Sequence, residues 1–196
     1  EAGKQLIVSH VADLEVDWQR PNVQGAVTLV RDLRDVVVSW SHNAARTDLS
    51  LGYRRPRYPT VGAFYWEFFL PTLMSSERYY RGDLVGWLHR SAASYIPRIR
   101  YEDMLADPGA ALEKVLNAWM IDYDEAAIHA VAGSSTFTEM AAALPHGDGY
   151  LATQFRGGHL RRGVAGSWRE ELPVDVQADV SERFAGYQEL LGYSGL

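Results

Sequence analysis

The stretch LVRDLRDVVVSWSH, residues 29–42, decides the fold of this chain. An apolar run at residues 26–30 enters it, two arginines and two aspartates follow, and a helical spacing of apolar residues begins at once. Open α/β sheets bind ligands at the carboxyl edge of their strands, and a helix N-terminus at that edge favours anions. The stretch therefore predicts a phosphate site of a nucleotide, which we expect Arg31 and Ser39 to contact. The alternative is a surface arginine and a serine that faces solvent.

Apolar runs and helical patterns alternate along the rest of the chain. Strands are predicted at residues 5–9, 25–30 and 96–101, the second buried on both faces. Helices are predicted at residues 32–43, 60–74, 83–94, from Asp107-Pro108 onward, 124–131 and 175–191, with a loop at 46–59 and an irregular segment at 141–159. Thr136-x-x-Glu139 fits a capping box, which marks a further helix start. This alternation predicts one α/β domain over residues 1–196, with a parallel sheet flanked by helices.

Composition limits the classes of function. The chain has 196 residues, of which 47% are hydrophobic and 22% charged, the balance of a globular protein. It contains no cysteine, which excludes disulfides and thiolate metal sites, and no metal site is suggested. A net charge of −6 argues against a nucleic-acid partner. No apolar run is long enough for a membrane span, and a cytoplasmic location is the default expectation.

Three further segments could carry chemistry. RRGVAGSWRE, residues 161–170, places two arginines before two glycines whose backbone can approach an anion closely, although it could also be a flexible basic loop. IRYEDML, residues 99–105, ends a strand at Tyr101, which could face a purine or simply turn into solvent. The next two residues, Glu102 and Asp103, could cap backbone groups at this strand end. His10 ends the first predicted strand, where a general base could stand, although a lone histidine is more often structural.

Taken together and in order, these segments resemble the cytosolic-type sulfotransferases. VTLVRDLRDVVVSWSHN (27–43) is similar to that family's strand followed by R-[DN]-P-[KR]-D-x-x-V-S, and RRGVAGSWRE to its R-K-G-x-x-G-[DE]-W-K signature. IRYEDMLADPGAAL (99–112) resembles its Y-E-D-[LM] segment, SSTFTEM (134–140) its T-S-F-x-x-M, and LIVSHVAD (6–13) its strand ending in K-T-H-L-P. The resemblance implies a P-loop-NTPase-like sulfotransferase fold and 3′-phosphoadenosine 5′-phosphosulfate (PAPS) as the sulfuryl donor.

The resemblance also implies roles for individual residues. Arg31, Ser39, Arg161, Arg162 and Gly163 would bind the 3′-phosphate of PAPS and of its product 3′,5′-ADP.

Other residues would contact the adenine or take part in sulfuryl transfer. Tyr101, Ser135 and Phe137 would lie near the adenine. His10 would be the catalytic base that takes a proton from a hydroxyl or amine of a small-molecule acceptor. The aromatic run at residues 64–70 could line an apolar acceptor pocket or simply pack in the core as part of a helix. The acceptor's identity and the oligomeric state are not implied.

One part of the family pattern has no counterpart here. The loop P-K-[ST]-G-T-[TS]-W, which cradles the 5′-phosphosulfate, is absent, and so is G-x-x-x-x-G-K. Because residue 1 is Glu and a strand-like run begins by residue 5, we expect a longer protein whose N-terminal strand and loop are missing here. This chain alone would then be inactive.

Two other interpretations stay open at this point. The chain could be a relative that binds 3′,5′-ADP or PAPS without catalysis, as the absent loop would suggest. A nucleoside-phosphate kinase on a related scaffold is the other alternative, but it requires the Walker lysine loop and would leave residues 161–168 without a role.

Overall fold

The structure is a computed structural model, and it describes the chain over residues 25–74, 96–143 and 161–193. Four predictions fall wholly or mostly outside these ranges: the strand at residues 5–9, the helix at residues 83–94, the irregular segment at residues 141–159, and the catalytic role of His10. Only residues 141–143 of the irregular segment are described, and they are helical rather than irregular.

Two short strands form the sheet of the described residues. They are β1 (Thr28–Val30) and β2 (Arg98–Arg100), which pair in parallel with Leu29 opposite Ile99. A parallel pair surrounded by helices is an α/β arrangement, so the predicted fold class is confirmed. Leu29 is 58% exposed, so the prediction that this strand is buried on both faces was wrong for the described part of the chain.

The helices are numbered in chain order. They are α1 (Leu33–Ser50), α2 (Val61–Phe64), α3 (Leu70–Met74), α4 (Tyr101–Ala106), α5 (Pro108–Ala118), α6 (Glu125–Ser134), α7 (Phe137–Ala143), α8 (Trp168–Glu171), α9 (Val174–Arg183) and α10 (Ala185–Leu190). A π-helical turn, Tyr65–Phe69, joins α2 to α3 into one helix, as predicted for residues 60–74. In the described ranges, no helix combines the length and apolar character that crossing a membrane requires.

Helix starts follow the local capping chemistry of the sequence. The Asp107 carboxylate accepts a hydrogen bond from the Ala110 backbone N–H at 2.9 Å, and a proline occupies the first turn of α5. The Thr136 hydroxyl accepts from the Glu139 N–H at 3.2 Å and opens α7. Both predicted helix starts are confirmed.

In the core, α1 packs against α9 and against the continuous helix at residues 61–74, called here the aromatic helix. Val37, Phe64, Tyr65, Phe69 and Val180 are fully buried there. The aromatic run at residues 64–70 had two interpretations, an acceptor pocket or core packing, and the burial of its central rings supports core packing.

Two element boundaries differ from the prediction for physical reasons. Helix α1 continues to Ser50, because the buried carboxylate of Asp48 accepts hydrogen bonds from the Arg57 backbone N–H at 2.8 Å and from its Nε at 2.7 Å. These contacts hold the last helical turn, so the loop begins after it rather than at residue 46. The predicted helix at residues 175–191 is broken into α9 and α10 at Phe184, and it ends as predicted before Gly192, whose φ is +72°.

Candidate functional site

Arg31 leaves β1 at its carboxyl end and joins three segments. Its guanidinium carbon lies 4.2 Å from the centre of the Tyr101 ring, a cation–π contact. Its Nη2 donates to the Val164 carbonyl at 3.3 Å and lies 3.9 Å from Asp35. Its buried Nε has no hydrogen-bond partner among the described residues. The structure thus brings together Arg31, Tyr101 and the segment that follows Arg161 and Arg162.

Asp35 fixes that second segment onto the first turn of α1. Its buried carboxylate accepts hydrogen bonds from the backbone N–H groups of Gly166 at 2.6 Å and Trp168 at 3.0 Å, and from the Ser167 hydroxyl at 3.2 Å. Sequence reasoning did not name Asp35, although the final aspartate of R-[DN]-P-[KR]-D was the available signal. Asp35 therefore sets the position of residues 161–168 relative to Arg31.

The remaining charges of the opening stretch are structural. The Arg34 guanidinium donates to Asp32 from Nε at 2.9 Å and from Nη2 at 2.7 Å, and it lies 3.9 Å from the Trp168 ring. Both side chains are buried. A buried charge is stable only when it is paired and hydrogen-bonded, and this pair satisfies that condition. Arg31, by contrast, has a buried Nε–H group that no acceptor among the described residues satisfies.

Gly163 and Phe137, both predicted to bind nucleotide, are in direct contact. A Cβ added at Gly163 would lie 2.3 Å from the Phe137 ring atom Cδ2, and the φ of Gly163 is +62°. A glycine is required here by both the space and the backbone conformation. The start of α7 and the loop at residues 161–164 are therefore in direct contact.

Ser135 lies at the C-terminal end of helix α6. Its hydroxyl donates to the Val131 carbonyl at 2.7 Å, within the last turn of α6, and the residue is exposed. The structure places Ser135 two residues before Phe137 and gives its hydroxyl a helix-end partner. Its role at the adenine stays a prediction.

Arg161 and Arg162 converge on Glu171. The Glu171 carboxylate accepts from Arg161 at 2.7 and 3.0 Å and from Arg162 at 3.3 Å. Its Oε2 also lies 2.7 Å from His42 Nε2 on α1. Partial burial raises the pKa of Glu171, but hydrogen bonds from Arg161 and His42 outweigh that effect and hold it below the usual range. Sequence reasoning did not name Glu171 or His42.

Ser39 lies on the face of α1 that meets this loop. Asp35 precedes it by one turn and contacts Gly166, and His42 follows it by three residues and contacts Glu171. Residues spaced by three and four positions share a helix face. Ser39 is exposed, and within the described ranges no hydrogen bond joins it to Arg31. The predicted proximity to residues 161–168 follows from the helix geometry, whereas a shared ligand stays a prediction.

A cavity of about 310 Å³ adjoins the site on the side of Gly192 and Tyr193. The Tyr193 hydroxyl donates to Glu102 Oε2 at 2.6 Å, and Glu102 Oε1 accepts from the Asp32 N–H at 3.2 Å. Glu102 thus caps a backbone group, as predicted for the strand end. Over residues 25–74, 96–143 and 161–193, no group of histidine and acidic side chains could hold a metal ion.

Comparison with known proteins decides the family. The family described as the sulfotransferase domain matches residues 5–194. The chain belongs to the sulfotransferase domain family. A search of curated proteins found no match.

Among solved structures, this family member is similar to mouse sulfotransferase SULT7A1 complexed with PAP. The TM-score is 0.60 at 22% sequence identity, and the match covers 84% of this chain. It covers 57% of the mouse chain, so this sequence spans less than two thirds of that protein's length. At this identity the likeness shows the fold, which agrees with the predicted sulfotransferase fold.

Proposed function

We propose that residues 1–196 act as one sulfotransferase domain, which binds PAPS and moves its sulfuryl group to a hydroxyl or amine of a small-molecule acceptor. The family match over residues 5–194 supports a transferase of this class. The mouse neighbour is complexed with PAP, which is 3′,5′-ADP, the product expected from PAPS. The net charge of −6 makes a nucleic-acid partner unfavourable. As a separate proposal, we infer that the enzyme is cytoplasmic.

The observation that carries this proposal is the convergence at the end of β1. Arg31 contacts the carbonyl of Val164, and Asp35 holds the backbone of Gly166. Two segments that are about 130 residues apart in the chain are therefore in contact at the end of β1. Both were predicted to bind the same 3′-phosphate, and their contact is the arrangement that such a site requires.

The chemistry of the donors suits a phosphate. Arg31, Arg161 and Arg162 supply guanidinium groups, which bind phosphate bidentately. Arg31 Nε is buried without a partner among the described residues, and a buried donor of this kind requires an acceptor. Gly163, in the left-handed region, leaves its backbone free of a Cβ at the same loop. These residues would hold the 3′-phosphate, with Ser39 on the adjoining helix face.

Tyr101 and Phe137 supply aromatic surface next to two of the residues assigned to the phosphate. The Tyr101 ring lies beneath Arg31, and the Phe137 ring lies against Gly163. Both rings are only partly buried, so each has a face that an adenine could cover. Ser135, two residues before Phe137, would complete this side of the pocket.

The reaction assigned to the domain is an in-line displacement at sulfur. When bound, PAPS supplies the sulfuryl group: the bond between sulfur and its bridging phosphate oxygen breaks as the bond from the acceptor oxygen or nitrogen to sulfur forms. His10 would accept the acceptor's proton as general base. The leaving phosphate gains negative charge, which cationic donors stabilise.

Calorimetric titration of this chain with 3′,5′-ADP, and with 5′-AMP as the control, tests the proposal. The two nucleotides differ only in the 3′-phosphate. We expect 3′,5′-ADP to bind at least about tenfold more tightly, since charge-assisted hydrogen bonds contribute about 1.5–3 kcal/mol each. Equal affinities in a folded sample would contradict the assigned 3′-phosphate site.

A further inference from the structure

Glu171 places a carboxylate among the arginines to which the proposed function assigns the 3′-phosphate. It accepts two hydrogen bonds from Arg161, at 2.7 and 3.0 Å, and one from Arg162, at 3.3 Å. A fourth contact, 2.7 Å long, joins it to His42. The Glu171 side chain is 18% exposed and the His42 side chain 42% exposed, so the cluster opens to solvent at its rim. The family resemblance gives Glu171 no role.

The donors that Glu171 uses are the ones a phosphate would use. Arginine binds carboxylates and phosphates through the same fork of parallel N–H groups. In Arg161 both ends of that fork, Nη1 and Nη2, already donate to Glu171. A phosphate that binds Arg161 bidentately through this fork must displace the carboxylate.

The local charge balance points the same way. Three guanidinium groups, those of Arg31, Arg161 and Arg162, meet two carboxylates, Asp35 and Glu171, which leaves a formal sum of +1. Asp35 accepts its hydrogen bonds chiefly from backbone N–H groups, whereas the partners of Glu171 are cationic side chains and a histidine. Glu171 is therefore the carboxylate whose charge opposes a 3′-phosphate most directly.

We propose that Glu171 is a specificity-determining residue, an internal counter-ion that competes with the 3′-phosphate for Arg161 and Arg162. This inference rests on the proposed function. Because donor and product carry the same 3′-phosphate, Glu171 weakens the binding of both to a similar extent. Such a uniform effect raises the KM for the donor and speeds release of 3′,5′-ADP.

Glu171→Gln removes the charge and keeps the size of the side chain, and its amide oxygen can still accept from Arg161. Titration of this variant should show 3′,5′-ADP binding about tenfold more tightly than in the wild type, a change equivalent to ~1.4 kcal/mol. Binding of 5′-AMP should stay within about twofold, since it lacks the competing group. Glu171→Ala should tighten binding in the same direction, which keeps the test available if one variant fails to fold.

Glu170→Gln is the matched control. Glu170 is exposed on the same helix, and in the described residues no hydrogen bond or ion pair joins it to Arg161 or Arg162. It changes the net charge equally and should leave both affinities at the wild-type value. Glu171→Asp, which keeps the negative charge, should not tighten 3′,5′-ADP binding.

The outcomes separate this inference from the proposed function. Weaker or unchanged 3′,5′-ADP binding in Glu171→Gln, with a wild type that still prefers 3′,5′-ADP over 5′-AMP, would overturn the competition alone. Equal tightening of both nucleotides would overturn the assigned specificity. A wild type that does not distinguish the two nucleotides would overturn the proposed function and this inference with it.

Discussion

The buried carboxylate of Asp35 accepts a hydrogen bond from the Trp168 backbone N–H at 3.0 Å, across 133 residues of chain. Asp35 stands one turn after Arg31 on the chain, and Trp168 closes the loop that carries Arg161 and Arg162. This contact fixes the distance between the two arginine segments. The candidate site therefore depends on one acidic residue as much as on its basic ones.

Asp35→Asn is expected to lower the free energy of unfolding by about 2–3 kcal/mol. An amide has only one acceptor oxygen and no charge, so the backbone N–H group of either Gly166 or Trp168 loses its acceptor, and the other keeps only a neutral one. Urea denaturation followed by tryptophan fluorescence measures this change. Asp122→Asn, at an exposed position, is the control. An unchanged unfolding midpoint in Asp35→Asn would contradict the account of this contact.

Gly163→Ala should destabilise the fold by more than its backbone conformation alone explains. A left-handed conformation costs a non-glycine residue about 1–2 kcal/mol, and the new Cβ would also meet the Phe137 ring at 2.3 Å. Gly52→Ala is a matched control, since Gly52 has φ +88° and nothing within 4 Å of its added Cβ. Thermal unfolding of both variants isolates the clash.

Phe137→Ala provides the complementary test of that contact. With the ring removed, Gly163→Ala should cost about as much as Gly52→Ala. Strictly additive effects of the Phe137 and Gly163 substitutions would show that the two residues do not touch.

Stability should decrease in acid partly through Asp179. Hydrogen bonds from Arg183, at 2.5 and 2.9 Å, and from the Tyr65 hydroxyl lower the pKa of Asp179, outweighing the effect of burial. A carboxyl with a lowered pKa stabilises the fold above its ordinary pKa of about 4, and the contribution is lost as pH falls through the folded value. Thermal midpoints of the wild type and Asp179→Asn should therefore converge between about pH 5 and pH 2. A difference that stays constant over that range would contradict this.

His10→Ala is expected to abolish sulfuryl transfer, or to lower it by at least about 100-fold, because a general base contributes about 10²–10⁴-fold. Its affinity for 3′,5′-ADP should stay within about twofold of the wild type, since a base acts on the acceptor. His129→Ala, an exposed histidine on α6, is the control. The assay requires a protein that shows transfer, and normal turnover in the His10 variant would assign the base to another residue.

Local chemistry in the sequence was sufficient for much of the fold. Helical spacing predicted α1 and the aromatic helix, and Asp107 and Thr136 predicted two helix starts that the structure confirms. The parallel pairing of β1 with β2 followed from the alternation of strand and helix patterns. The helices and their starts depend on residues that are close in the chain, which is why a single sequence is enough to predict them.

Long-range contacts were the features that the sequence patterns did not contain. The length of α1 depends on Asp48 meeting Arg57 beyond the helix end. The site depends on Asp35 reaching Gly166 and on Glu171 reaching Arg161. The family motif contains the position of Asp35 but does not give its distant partner, and no pattern marks Glu171. The basic residues could be predicted because guanidinium groups are the side chains expected to bind a phosphate.

The most direct test of the central claim is the binding of 3′,5′-ADP and 5′-AMP to Arg31→Ala, with the exposed Arg55→Ala as the control for lost charge. The account predicts that Arg31→Ala weakens 3′,5′-ADP binding by about 10–100-fold and barely changes 5′-AMP binding, while Arg55→Ala changes neither. An equal loss for both nucleotides in Arg31→Ala would contradict the assignment of this residue to a 3′-phosphate.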